Sequence, residues 1–300
     1  MRALQFDDLH LFARVAQLGT LSAAARERDA PVSQVSRALV RIEQACGARL
    51  VLRSTHGLSL TPEGQTFLAY CLRITSTLDD LEGEFAVHSG EARGLVRVSA
   101  STVVAQYRIV PSLAGLRERH PRLSVALEVS DRLVDMTRDG IDVAIRSATH
   151  LPDAVVARQI GMLGRALYAA PAYALAHGLP QRPEDLHAHA RVVNTAVPAL
   201  NQWPFHGNGG TVIHVAEGTF ASNDTNMAAT MVLQGLGIGR LATLVGDELV
   251  REGRLVPVLA EWVDPQPVPV YAVTIGGRHR LPRVRACIDY WADWFGRAAA

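Results

Sequence analysis

The sequence predicts a multidomain chain: an α-rich winged helix-turn-helix module at the N-terminus, one long linker helix, and a larger α/β domain behind it. Three observations carry this. Three short helical patterns precede a hairpin pattern within residues 1–61, an unbroken heptad stripe starts at Pro62, and from Leu95 short β-runs alternate with helical stretches. Three hundred residues suit two or three domains rather than one. With 48% hydrophobic and 20% charged residues, the chain has enough apolar side chains for packed cores and does not read as disordered.

Composition excludes several classes. The net charge is +1, so any nucleic-acid surface must be local rather than a global basic field. Cys46, Cys71 and Cys287 are far apart and in no CxxC pattern, which suggests neither a disulfide framework nor a zinc site. Residues 1–8 run into an amphipathic helix without the basic and apolar regions of a signal peptide, and no apolar run reaches membrane-spanning length, so a cytoplasmic protein is expected. No metal or cofactor is expected.

The first helix, over 5–17, has its apolar stripe at Leu9, Phe12, Ala13 and Ala16 and stops at Gly19. Thr20 can cap the next helix, an alanine-rich turn over 21–28. Pro31 suits the first turn of a third helix, whose inner face is Val35, Leu39 and Ile42. Ser33, Gln34, Ser36, Arg37 and Arg41 are left for its outer face. Two extended runs, 48–53 and 58–61, then flank a Ser54-Thr55-His56-Gly57 turn and form a wing carrying Arg53. Small hydrogen-bonding side chains approach base edges and arginines meet phosphate or guanine, so this pattern fits a recognition helix in a major groove. A three-helix bundle with a merely solvated face is the alternative.

Along the linker helix, Phe67, Cys71, Ile74, Leu78, Leu81 and Phe85 step by four and three, an a/d seam. Such a seam packs either on its own domain or on a second copy of the chain; dimerisation is the reading preferred here. Residues 89–94 read as a hinge.

In the α/β domain, β-runs are expected at 95–100, 123–129, 142–146, 155–158, 165–169, 191–194, 212–215, 238–241 and 268–274. Helices are expected at 104–120, 134–139, 227–234 and 281–295. Alternation of this kind implies parallel strands covered by helices. Ser101-Thr102 and Ser222-Asn223-Asp224-Thr225 fall where a strand gives way to a helix, and Arg146 ends a strand, so these are candidates for holding a small anion. Ordinary N-caps and a surface charge are the competing interpretation. Trp203 and Phe205 read as loop residues that either close a pocket or plug the domain. Enzyme chemistry finds little support: His187 and His189 lack a carboxylate partner at metal spacing, Ser222 lacks a GxSxG context, and Cys287 reads as packed.

The chain resembles the LysR-type regulators. The match is carried by Gly19-Thr20-Leu21-Ser22, Ala24-Ala25, Val35-Ser36-Arg37, Ile42-Glu43, Gly47, Arg49-Leu50, Arg53 and Leu60-Thr61-Pro62-Glu63-Gly64. Further on it is carried by the run Gly140 to Arg146, by Leu151-Pro152-Asp153, Pro171-Ala172-Tyr173, Gly235-Leu236-Gly237-Ile238, and by the run Gly253 to Leu259. Arg28 and Cys46 stand where that family usually has core leucines, and Val32-Ser33-Gln34 replaces its common Gln-Pro-Ala type of segment. The resemblance implies a DNA-binding domain over 1–61, a linker helix over 62–89 that pairs between subunits, and an effector domain over 90–300. That domain would look like a type 2 periplasmic binding protein, with one lobe over about 92–162 and 268–300 and the other over about 163–267. Expected partners are promoter DNA, a small anionic effector in the interlobe cleft, and further copies of the chain in a homodimer or homotetramer; RNA polymerase is a candidate partner. A transport solute-binding protein is the other reading of such lobes, and the helix-turn-helix argues against it.

Overall fold

The computed structural model describes residues 4–54, 57–85, 92–152, 155–207, 210–264 and 267–297. The side chains of residues 53, 54, 57, 76, 79–85 and 207 lie outside that description. The chain divides into one unit of Met1–Gly90 with Asp135–Ile141, and a second of Glu91–Val134 with Asp142–Ala300. No helix among the described residues is long and apolar enough to cross a membrane.

The first unit follows its sequence pattern closely. Helix α1 (Phe6–Leu18) ends at Gly19 in the left-handed conformation, and α2 (Leu21–Glu27) is capped by Thr20, whose Oγ1 accepts the Ala23 amide at 3.2 Å. Helix α3 (Val32–Cys46) turns Val35, Leu39 and Ile42 inward, each at most 2% exposed. Strands β1 (Val51–Ser54) and β2 (Gly57–Leu60) pair as the antiparallel wing. Glu43 pins that wing to α3, its Oε1 accepting the Leu50 and Val51 amides at 2.8 and 3.2 Å. The linker helix α4 (Pro62–Phe85) starts on Thr61, which is buried, accepts the Gly64 amide at 2.9 Å and donates to the Arg49 carbonyl at 2.7 Å.

The two departures from the usual leucines have physical substitutes. Arg28 forms a two-pronged ion pair with Asp7, at 3.1 and 2.7 Å, which clamps the turn after α2 to α1 and holds the Asp7 carboxyl below the ordinary carboxylate range. Cys46 packs, half-buried, on the cluster of Phe12, Leu39, Ile42 and Cys71.

The second unit contains two five-stranded sheets. The first runs in the order β4 (Leu123–Val129), β3 (Gly94–Ala100), β5 (Val143–Ser147), β14 (Val268–Thr274), β6 (Val156–Leu163). Strand β3 is parallel to β4 and β5, but β14 is antiparallel to both its neighbours. The second runs β11 (Phe220–Ser222), β8 (Arg191–Asn194), β12 (Ile238–Ala242), β7 (Arg165–Ala169), β13 (Val256–Val258). There β8 is parallel to β11 and β12, while β7 is antiparallel to β12 and β13. The sheets are therefore mixed, not wholly parallel as expected. The chain leaves the first lobe after β6, builds the second, and returns as β14, so the strand laid down on return need not share the direction of its βαβ neighbours.

Three further expectations change. The expected helix at 134–139 is only a turn at 136–140: Asp135 Oδ1 accepts the Thr137 and Arg138 amides at 3.1 and 2.9 Å as an N-cap does, but Gly140, left-handed at φ +68°, ends the run after one turn. The first helix of the lobe opens as α5 (Thr102–Val104), widens into a π turn at Ala105–Ile109, and continues as α6 (Val110–Arg119). Pro111 has no amide hydrogen to give the Tyr107 carbonyl and its ring crowds that carbonyl, which accounts for the widened turn. Ser112, fully buried, braces the bend: it donates to the Ile109 carbonyl at 2.6 Å and accepts Trp291 Nε1 of α10 (Pro282–Arg297) at 3.0 Å. Trp203 and Phe205 belong to strand β9 (Gln202–Gly207), paired with β10 (Gly210–Val215), and both are 1% exposed.

Candidate nucleic-acid interface and effector cleft

The outer face of α3 presents Ser33, Gln34 and Arg37 to solvent, with Ser36 half-buried beside them. Arg37 Nε donates to the Ser33 carbonyl at 3.3 Å, which orients the side chain along the N-terminal half of the helix. Arg41 is different. Its guanidinium forms an ion pair with Asp8, whose side chain is 4% exposed and which also accepts the Gln5 amide at 3.0 Å. The sequence placed Arg41 with the free outer arginines; the structure gives it the task of tying α3 to the start of α1. The Arg53 side chain lies outside the described residues.

Helix α4 divides its apolar stripe. Phe67 meets Phe12 edge-on at 4.9 Å, and Cys71 is fully buried in the same cluster, its thiol pushed up to about 12 by burial. These two therefore serve the unit's own core and correct the expectation that they face a partner. Tyr70, Ile74 and Leu78 are 54%, 41% and 37% exposed and follow one another four residues apart, so they form one open apolar stripe. Leu81 and Phe85, the last members of the expected seam, have side chains outside the described residues, and residues 89–91 of the expected hinge at 89–94 lie outside them altogether.

In the second unit, the N-termini of α5 and α8 (Thr225–Leu233) meet across the lobes on one carboxylate. Asp131, in the loop after β4, is 7% exposed. Its Oδ1 accepts the Thr102 amide at 3.0 Å and its Oδ2 accepts the Thr225 amide at 2.6 Å. Thr102 Oγ1 donates to Asp224 Oδ2 at 2.9 Å, while the other Asp224 oxygen caps its own helix by accepting the Met227 amide at 2.8 Å. Asn226 Nδ2 donates to Gln106 Oε1 close by.

Two arginines, Arg146 and Arg165, stand near this junction, and a third, Arg240, stands near Arg165. Arg146 donates to Ser99 Oγ at 2.8 Å and to the Ile145 carbonyl at 2.9 Å, leaving a buried Nε without a partner. Arg165, which opens β7, reaches Ser147 Oγ at 2.7 Å in the other lobe. Arg240, on β12, donates to the Gln202 carbonyl at 3.2 Å and also keeps a buried, unpartnered Nε. Arg165 and Arg240 lie diagonally on one face of the sheet, since Arg240 pairs with Leu167 and Ala242 with Arg165. Among the described residues none of the three has an ion-pair partner. Burial draws the Arg146 and Arg165 guanidiniums down to about 10, against which the Asp131 charge supports both; Arg240 further lowers Arg165.

Two family models match most of the chain. Residues 6–65 match the bacterial regulatory helix-turn-helix protein, lysR family, and residues 89–296 match the LysR substrate binding domain. The chain belongs to the LysR-type transcriptional regulators. It is 30% identical over 288 residues to a probable transcriptional regulator of Klebsiella pneumoniae, LtrA, covering 95% of this chain and 93% of that one. The full-length structure of CrgA from Neisseria meningitidis superposes with TM-score 0.64 at 27% identity, covering 98% of this chain and 100% of that one. The Vibrio cholerae virulence activator AphB does so with TM-score 0.64 at 26% identity, covering 97% and 100%. The protein is thus a LysR-type regulator with a DNA-binding helix-turn-helix and a two-lobed effector domain, in a family that binds promoter DNA and small-molecule effectors and forms oligomers.

Within this regulator, the sequence-derived cleft residues separate. Thr102 is in the interlobe junction and Arg146 is close enough to feel Asp131, although its fork is turned largely onto its own lobe. Ser101 is the N-cap position of α5 and makes no side-chain cap bond. Asn223 is exposed, outside the hydrogen bonds that join the lobes. Trp203 is core: it packs with Phe205, Leu186 and Ile238 and faces His214 at 5.9 Å, so it plugs the second lobe and does not line the cleft. Sequence reasoning missed Asp131, Arg165 and Arg240. Asp131 follows a strand end, the same signal that marked Ser101-Thr102.

Proposed function

We propose that this LysR-type regulator reads promoter DNA as an oligomer and answers a small anionic effector held between its lobes, in the cytoplasm. The observation that carries the anionic character is the arginine trio. Arg146, Arg165 and Arg240 are half-buried without an ion pair among the described residues; the Asp131 charge acts on Arg146 and Arg165, and Arg240 stands close enough to act on Arg165. A half-buried guanidinium gains from an anion what it loses in hydration, so a ligand with an acidic group completes the site. The test is a thermal-shift screen of carboxylate and phosphate metabolites on the wild type and on Arg165→Met. A stabilising acid should lose its effect in the variant, while the ligand-free variant melts at the same temperature or higher, because an unpaired cation has been removed. An acid that stabilises both proteins equally would place the binding site elsewhere.

For DNA, the reading rests on Ser33, Gln34 and Arg37 along α3, with Ser36 behind them and Arg53 on the wing. Arg41 is a brace, since its charge is already spent on Asp8. Each arginine that neutralises a phosphate contributes about 0.9 to the slope of log affinity against log salt. Titrating promoter DNA at several salt concentrations should therefore give Arg37→Ala and Arg53→Ala slopes lower by about 0.9 per arginine in each DNA-binding head. Arg41→Ala should lower the melting temperature with little change in slope. A slope loss at Arg41 equal to that at Arg37 would return Arg41 to the interface.

A further inference from the structure

The interlobe junction contains a carboxylate shared between two helix starts, of which α8 has a side-chain cap of its own and α5, at Ser101, does not. Helix α8 is already capped by its own Asp224, on the Met227 amide at 2.8 Å. Asp131 adds a bond to the first amide of that helix, at 2.6 Å from Thr225 N, and to the first amide of α5, at 3.0 Å from Thr102 N. It is separated from these partners by 94 and 29 residues. It is 7% exposed, and both its oxygens are used, one in each lobe. Two helix N-termini converging on one carboxylate, with Arg146 and Arg165 near enough to feel its charge, is the arrangement by which a protein holds an acidic ligand. Here the acid is part of the chain.

We propose that Asp131 is a resident stand-in for the acid group of the effector: it latches the two lobes together in the ligand-free protein, and an acidic effector binds by displacing it. The proposal rests on the anionic reading above and adds a selection rule to it. A tethered carboxylate competes at a high effective concentration. A simple monocarboxylate offers the two amides nothing that Asp131 does not already supply, so it fails to displace the latch. An effector must bring further contacts, and Arg146, which keeps a buried Nε without a partner and stands close enough to feel the Asp131 charge, is the cation that can offer them. Asp131 is thus a specificity-determining residue that acts by occupying the site.

Removing the latch should open the position to any small carboxylate. The test uses full-length wild type, Asp131→Ala and Asp131→Asn in a thermal-shift titration with sodium acetate, against sodium chloride at equal ionic strength. Asp131→Ala should melt about 4 °C or more below wild type and recover a substantial part of that loss in acetate but not in chloride. Wild type should respond alike to both salts. Asp131→Asn, whose amide oxygen can accept from one of the two amides, should fall between; it carries the same test if the alanine variant folds poorly. Acetate acting no better than chloride on both variants would overturn the latch and leave Asp131 a structural tie. Acetate stabilising wild type as much as the variants would overturn it too, since the position would then be vacant in the native chain. The anionic reading stands or falls separately: acids that shift wild type but no acetate rescue reject the latch alone, and acetate rescue with no acid shifting wild type rejects the effector class alone.

Discussion

Leu78→Asp should leave the protein monomeric and without high-affinity DNA binding, while both folded units persist. The three exposed apolar residues of α4, Tyr70, Ile74 and Leu78, recur at i, i+4 and i+8, and on a monomer they would leave an apolar stripe in water. Pairing this face with a second copy removes it. Two copies of the helix paired on this face about a twofold axis would bring each Leu78 against the partner helix, and an aspartate there would then bury an unpaired charge on both sides. One uncompensated buried charge costs about 3–5 kcal/mol, which is more than a hundredfold in the association constant. The monomer retains one recognition helix and therefore one half-site, and the affinity gained by engaging two half-sites at once disappears. Sedimentation velocity should show a single monomer boundary, and a gel shift on the promoter should lose the discrete complex. Cys71→Ser is the contrasting variant. Cys71 is fully buried beside Phe12 and Leu39, so the substitution should lower the melting temperature of the first unit and leave the oligomer intact. An oligomer that survives Leu78→Asp would assign the stripe to intramolecular packing.

That contrast also marks where the sequence was legible. Helices α1 to α3 and the wing were readable because their signals are local: a 3.6-residue apolar period, Gly19 and Thr20 at the boundaries, a turn between two extended runs. The α4 stripe was equally visible, but periodicity gives a face and not its occupant. Phe67 and Cys71 went to α1, and Ile74 and Leu78 remained open. In the α/β unit, strand positions were largely recovered and strand directions were not, since β14 is set by a sheet begun about 170 residues earlier, at β3. Trp203 was misread because Pro204 interrupts a pattern that otherwise alternates as a strand; the proline stands on the edge of β9 away from β10, where its carbonyl accepts the Asp264 amide at 3.2 Å and the pairing is a single bridge rather than a full ladder. The rule that ligands gather at strand ends found Thr102. It could not find the convergence of Asp131 with Thr225, because those residues become neighbours only when the second lobe has folded against the first.

Gly64→Ala should abolish DNA binding by unfolding or displacing the winged module, with the effector domain spared. The Thr61-Pro62-Glu63-Gly64 run is a tight junction between wing and linker helix. Thr61 donates to the Arg49 carbonyl, its amide donates to the Leu50 carbonyl at 3.0 Å, and α4 begins at once. Residue 64 therefore lies directly over the Leu50 carbonyl, where an added Cβ would stand 1.9 Å from the oxygen and 2.9 Å from its carbon. Both obstacles are backbone, so no rotamer change relieves them. Leu50 is 2% exposed and its amide is held by Glu43, so the segment cannot slide without releasing the wing from α3. The expected cost is about 3 kcal/mol or more, beyond ordinary overpacking, because main chain rather than a side chain must move. Gly47→Ala is the control. Gly47 has φ +67° at the C-cap of α3 with open space around it, so an alanine meets only the left-handed backbone penalty of about 1 kcal/mol. Calorimetry should then show the transition of the first unit lowered strongly by Gly64→Ala and slightly by Gly47→Ala, with the second transition unchanged in both. A Gly64→Ala protein that melts like wild type and still binds promoter DNA would mean that the helix can leave the wing without cost, and that the glycine is not required by this contact.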